Sequence, residues 1–89
     1  MAWTISYTGT ATRQLSKLDR QVARRIVDYM DDRVAASIDP RNTGKALTGN
    51  TLGTFWRYRV GDYRVICDMQ DGALCVLVVQ IGSRSEVYR

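Results

Sequence analysis

The stretch Phe55-Trp-Arg-Tyr-Arg-Val-Gly-Asp-Tyr-Arg-Val-Ile-Cys67 constrains this chain more than any other. Aromatic or aliphatic residues alternate with arginines on both sides of Gly61-Asp62. Period-two alternation is the pattern of a half-buried strand, and a Gly-Asp pair between two such runs predicts a hairpin with a two-residue turn. The turn then fixes the register. Val60 faces Tyr63, Arg59 faces Arg64, Tyr58 faces Val65, Arg57 faces Ile66 and Trp56 faces Cys67. Residues directly opposite share a sheet face. One face is therefore expected to carry Trp56, Tyr58, Val60, Tyr63, Val65 and Cys67, and the other Arg57, Arg59 and Arg64.

Two arginines directly opposite one another repel, at a cost of roughly 0.2–1 kcal/mol relative to a neutral pair. Stability alone does not select such a rung. An anion held between the guanidinium groups turns repulsion into a clamp, because a guanidinium matches phosphate geometry and stays charged at any workable pH. The competing reading is a solvated edge hairpin that carries arginines for solubility and against edge pairing. The hairpin by itself leaves both readings open.

The chain of 89 residues is expected to form a single domain, 1–89, with one core. Its net charge of +4 leans towards a polyanion or an acidic partner. The excess is not gathered in a tail, since Arg24, Arg25 and Arg33 are balanced by Asp28, Asp31 and Asp32. A positive field must then come from folding. There is no histidine. That excludes histidine-ligated metals, serine–histidine and cysteine–histidine nucleophile pairs, and the usual acid–base group for neutral pH. No metal site and no cofactor are expected. The thiols of Cys67 and Cys75 are expected on opposite faces of adjacent strands, unbridged and reduced. With no signal-peptide pattern and no membrane-spanning apolar run, a soluble cytoplasmic protein is expected.

Taken in order, Trp3–Tyr7 reads as a first strand with Trp3, Ile5 and Tyr7 facing inward. Thr10 is placed to cap a short helix with Ala11, Leu15 and Leu18 on one side, and Asp19 to cap a second with Val22, Ile26, Tyr29, Met30 and Val34. The charges Arg13, Lys17, Arg24 and Arg25 read as a solvated face. Ser37–Thr54 has no period. It carries Arg41 and Lys45, with Leu47 as an anchor, and either serves the site or simply returns the chain to the sheet edge. Asp71-Gly72 predicts a type I′ turn, which sets Cys67 opposite Val76. The nearly unbroken apolar run Leu74–Ile81 predicts a central strand between the second hairpin strand and the N-terminal one. Leu77 and Val79 fall on the face of Arg64. The order is β-α-α-β-β-β, an α+β domain with a helical hairpin on one face of a small, mostly antiparallel twisted sheet.

At this point the chain resembles the RelE/ParE toxin superfamily, and within it the RelE-like mRNA interferase branch. The residues that carry the likeness are Leu47-Thr-Gly49, the hairpin Phe55–Ile66 and the ending Ile81-Gly-Ser-Arg-Ser-Glu-Val-Tyr88. The resemblance implies the toxin of a type II toxin–antitoxin pair, a ribosome-dependent, metal-independent endonuclease that cuts messenger RNA in the A site. It implies catalytic roles for Arg57, Arg59, Arg64, Arg84 and Tyr88, and RNA is then expected on Arg57 and Arg59 together with the loop cations Lys45 and Arg41. Arginines stand at a basic pair where lysine also occurs in the family, and Ser83 stands where many relatives have histidine. Implied partners are a cognate RelB-like antitoxin, the ribosome and mRNA, with operator DNA contacted only through the antitoxin and no membrane. Two alternatives share the fold: a ParE-like toxin that binds DNA gyrase, and an inactive relative that only binds its antitoxin.

The residues fit the first reading chemically. Cleavage by a 2′-hydroxyl needs a proton removed, a pentavalent phosphate stabilised and a leaving oxygen protonated. Arginine titrates above 12 and tyrosine near 10, so proton transfer at neutral pH is inefficient while charge stabilisation is strong.

Overall fold

The computed structural model describes residues 3–47 and 55–83. Within these residues five strands form one sheet in the order β1-β5-β4-β3-β2. They are β1 (Thr4–Tyr7), β2 (Lys45–Ala46), β3 (Phe55–Val60), β4 (Tyr63–Gln70) and β5 (Cys75–Ser83). Only β1 and β5 run parallel; the other neighbours are antiparallel. The apolar run is thus central, flanked by β1 and β4 as its composition requires. Helices α1 (Gly9–Ser16) and α2 (Arg20–Tyr29) connect β1 to the rest.

The β3–β4 hairpin has the expected register, from Val60 opposite Tyr63 to Trp56 opposite Cys67. Gly61 takes a φ of +60° and Asp62 does not enter the left-handed region. A positive φ at the first central position alone is the pattern of a II′ turn, whose twist matches that of the strands. Tyr58, Val60, Val65 and Cys67 are buried in the core with Met69, Val76, Val78 and Ile81. Ala11, Ile26, Met30 and Val34 cover them from the helical layer, and Trp3, Ile5, Tyr7, Leu15, Leu18 and Val22 pack around the rim.

Four local expectations are corrected. Thr8, not Thr10, caps α1, its hydroxyl accepting from the Ala11 amide. Asp19 caps α2 as expected, but the helix then widens into a π-helical turn over Met30–Ala35 that keeps Met30 and Val34 buried. The Asp71-Gly72 pair is not a type I′ turn. A 3-10 turn over Asp71–Ala73 ends on Leu74 in the left-handed region (φ 50°, ψ 48°), so Cys67 stands opposite Val78 rather than Val76. That slip is even, and side chains alternate with period two, so the two thiols still point to opposite faces. Finally, the segment after α2 is not wholly irregular. It contains a 3-10 turn over Pro40–Asn42 and the short edge strand β2.

On β5, the register shifts between Ile66 and Cys67 on its partner strand, leaving Val79 as the extra residue of a bulge. Gln14 reaches across from α1 to this irregularity, its Oε1 accepting from the Ile81 amide at 2.6 Å. Among the described residues no helix is long and apolar enough to cross a membrane.

Candidate functional site

A cavity of about 250 Å³ is lined by Tyr29, Gly44, Lys45, Arg57, Tyr58, Arg59 and Arg64. The charged lining comes from three adjacent strands. Lys45 on β2 pairs with Arg57 on β3, and Arg59 on β3 pairs with Arg64 on β4. Two rungs of like charge therefore stand close together, each unfavourable in the absence of an anion. Among the described residues no carboxylate lines the cavity.

Arg64 is the centre of this arrangement. It is only 7% exposed, the one buried charged side chain in the described core. Across β5 it faces Gly82, which offers no side chain to occupy the same space. Its Nη1 is buried and has no hydrogen-bond partner among the described residues. Leaving a buried donor unpaired costs about 1–3 kcal/mol, more when the group is charged. Arg59 is exposed, and its Nε donates a long hydrogen bond of 3.4 Å to the Gly61 carbonyl. Arg57 is half-buried and Lys45 exposed. Guanidinium donors gathered around a space without carboxylates among the described residues suit an anion chemically, and phosphate is the anion they fit best.

The match to known proteins extends over nearly the whole chain. Residues 5–88 match the family model described as ParE toxin of type II toxin–antitoxin system, parDE. Toxin RelG of Mycobacterium tuberculosis is 30% identical over 89 residues, spanning 100% of this chain and 99% of the relative. The chain belongs to the RelE/ParE toxin superfamily. It is a toxin of a type II toxin–antitoxin system. Toxin RelE of the same organism is 33% identical over 85 residues, covering 96% of this chain and 84% of that one. Among solved structures, the toxin–antitoxin complex RelBE2 from Mycobacterium tuberculosis superimposes with a TM-score of 0.81 at 25% identity. That match covers 96% of this chain and 94% of the other.

Of the site residues expected from sequence, the fold of this RelE/ParE toxin brings Arg57, Arg59, Arg64 and Lys45 to one cavity. Arg41 is not among the lining residues. Its guanidinium forks onto Asp71 with bonds of 2.8 and 2.9 Å and lies 5.9 Å from the centre of the Trp56 ring. The pairing holds the Asp71 carboxyl below the usual carboxylate range and raises Arg41 further. Arg84 and Tyr88 lie outside the described residues, as do Thr48 and Gly49 of the Leu47-Thr-Gly49 stretch.

Sequence reasoning missed Tyr29, Tyr58 and Gly44 as lining residues. Tyr29 and Tyr58 fall on apolar stripes and read as core; their rings do meet, with centroids 6.2 Å apart. Gly44 carried a usable sign in a segment already marked by glycines. A residue with φ of +77° is one that only glycine adopts without strain.

Proposed function

We propose that this toxin is a ribosome-dependent endoribonuclease. It cuts messenger RNA in the A site by attack of a 2′-hydroxyl on the adjacent phosphate, without a metal ion. The observation that carries the reading is the buried Arg64 nitrogen, without a hydrogen-bond partner among the described residues, in a cavity whose other described charges are Arg57, Arg59 and Lys45. In this mechanism Arg57, Arg59 and Arg64 hold the scissile phosphate and stabilise the charge that grows on it as the pentavalent state forms. Lys45 binds the backbone beside it. Tyr88 faces the attacking hydroxyl or stacks on a base, and Arg84 stands near the leaving oxygen. Arginine and tyrosine transfer protons poorly at neutral pH. The rate must then come from charge stabilisation and from RNA fixed in an in-line geometry. Positioning can supply about 7–11 kcal/mol, and the ribosome is the partner that supplies it.

The reading includes a RelB-like antitoxin, consistent with the solved RelBE2 complex of a relative. An acidic segment would neutralise the arginine face while an amphipathic helix covers apolar surface, and operator DNA would be reached only through that antitoxin. The site of action is the cytoplasm, where translating ribosomes are.

The test is to map message 5′ ends on translating ribosomes with wild type, Arg64→Ala and Tyr88→Phe. New ends at A-site codons with wild type, reduced at least about 100-fold in each variant, are expected. Chromosomal DNA breaks with intact translation would instead favour gyrase as the target, the activity of ParE-like toxins. Equal cutting of naked and ribosome-bound RNA would remove the positioning role of the ribosome.

A further inference from the structure

We propose that Trp56 and Tyr58 act as positioning residues that hold the segment 40–47 against β3 and so place Lys45 on the RNA. The inference rests on the nuclease reading above and assigns these aromatics a role beyond the core.

Two aromatic donors on β3 anchor the segment at successive points. The Tyr58 hydroxyl donates to the Pro40 carbonyl at 2.7 Å. The Trp56 Nε1 donates to the Thr43 carbonyl at 2.7 Å. Between that anchor and Lys45 stands Gly44, against which β3 packs without room for a side chain. A Cβ there would lie 2.7 Å from Trp56 Nε1 and 2.8 Å from Tyr58 Cδ1, and would press on the Arg57 carbonyl oxygen. The next residues enter the sheet, with Lys45 opposite Arg57 and Ala46 opposite Trp56. The Leu47 amide then donates to the Phe55 carbonyl at 3.2 Å.

This apparatus serves a strand of only two residues, Lys45–Ala46. Such a strand adds little cross-strand stabilisation, and its lysine meets an arginine. A lysine head on a long flexible stem is also costly to localise. Fixing the backbone on both sides of Lys45 reduces that cost and keeps the ammonium beside the guanidinium cluster. Lys45 then neutralises a phosphate neighbouring the one held by Arg57, Arg59 and Arg64.

A double-mutant cycle between Trp56→Phe and Lys45→Gln tests this. The phenylalanine keeps a ring in place and removes the donor to Thr43. The readout is affinity for a short single-stranded RNA, 2′-O-methylated throughout so that it cannot be cut, measured across a salt series. Lys45→Gln is expected to weaken binding about tenfold and to reduce the slope of log K against log salt by about 0.7. Trp56→Phe is expected to weaken it about threefold to tenfold in the wild type and less than about twofold when Lys45 is already glutamine. Tyr58→Phe should follow the same pattern. Equal losses in both backgrounds, or a lowered Tm with RNA affinity untouched, would show the aromatics to be structural only. In that event, A-site cutting that still depends on Arg64 leaves the nuclease standing. Wild type that neither binds the RNA nor cuts message overturns both.

Discussion

Arg64 sets the terms at the scale of single residues. A guanidinium that is 7% exposed, with Nη1 unpaired among the described residues, is destabilising where no anion meets it. Arg64→Met keeps a long flexible stem and removes the buried charge. Chemical denaturation should find that variant about 1 kcal/mol more stable than wild type, while message cleavage is lost. A fall in stability would mean that Arg64 contributes to folding as well as to the site. Tyr7 gives a second residue-scale prediction. Its hydroxyl is buried with no hydrogen-bond partner among the described residues, and burial, helped by Asp31, pushes its pKa up to about 12. A group raised in the folded state stabilises below its unfolded pKa, near 10, and loses that contribution as pH rises through the folded value. Wild type should therefore lose about 1–2 kcal/mol between pH 10 and 12. Tyr7→Phe should show a smaller alkaline decline and near-neutral or improved stability at pH 7, measured by denaturation at each pH.

Among elements, the β4–β5 connection departs most from its sequence signs. Leu74 holds a left-handed conformation and is 40% exposed. A branched side chain there costs about 1–2 kcal/mol of backbone strain, and little burial offsets it. Leu74→Gly should raise stability by about 0.5–1 kcal/mol, after allowing for the greater freedom of glycine in the unfolded chain. A Tm below wild type would show that the leucine packs in a way its exposure conceals. The hairpin behaved differently. Alternation of period two and the Gly61-Asp62 turn leave one register with the apolar face inward, so the Arg59–Arg64 rung could be read in advance. Asp71-Gly72 carries an equally strong local sign, but the ladder to β5 closes at Gln70 opposite Cys75, leaving a longer loop.

For the molecule as a whole, contacts distant in sequence tie the site's supports together. The Arg41–Asp71 pair links the segment 40–47 to the β4–β5 loop. Its hydrogen bond depresses the Asp71 carboxyl, so its stabilisation is present above the unfolded carboxylate pKa, near 4, and disappears as pH falls through the lower folded value. Asp71 is exposed and Arg41 half-buried, so solvent screens the pair and the contribution is about 1 kcal/mol or less. Asp71→Asn should lower the Tm slightly at pH 7, and by progressively less as pH falls below the unfolded carboxylate value and the wild-type carboxyl takes up its proton. A difference that persists in acid would assign the effect to loop geometry. The pair also explains why Arg41 does not reach the cavity. Sequence shows a cation on a loop, and only the folded chain supplies the carboxylate that claims it.

The sequence by itself determined the order of the two helices and the four longer strands, the central place of β5, the hairpin register and the gathering of Arg57, Arg59 and Arg64 on one face. These follow from periodicity and turn chemistry, which act between near neighbours and are written directly into residue spacing. Tertiary structure decided the rest: the edge strand that draws Lys45 opposite Arg57, Gly44 pressed on β3, Arg41 removed to Asp71, and Arg64 buried with a donor that no described residue meets. Each depends on the approach of segments far apart along the chain. Packing, not local pattern, determines which cation meets a carboxylate and which is left facing a cavity.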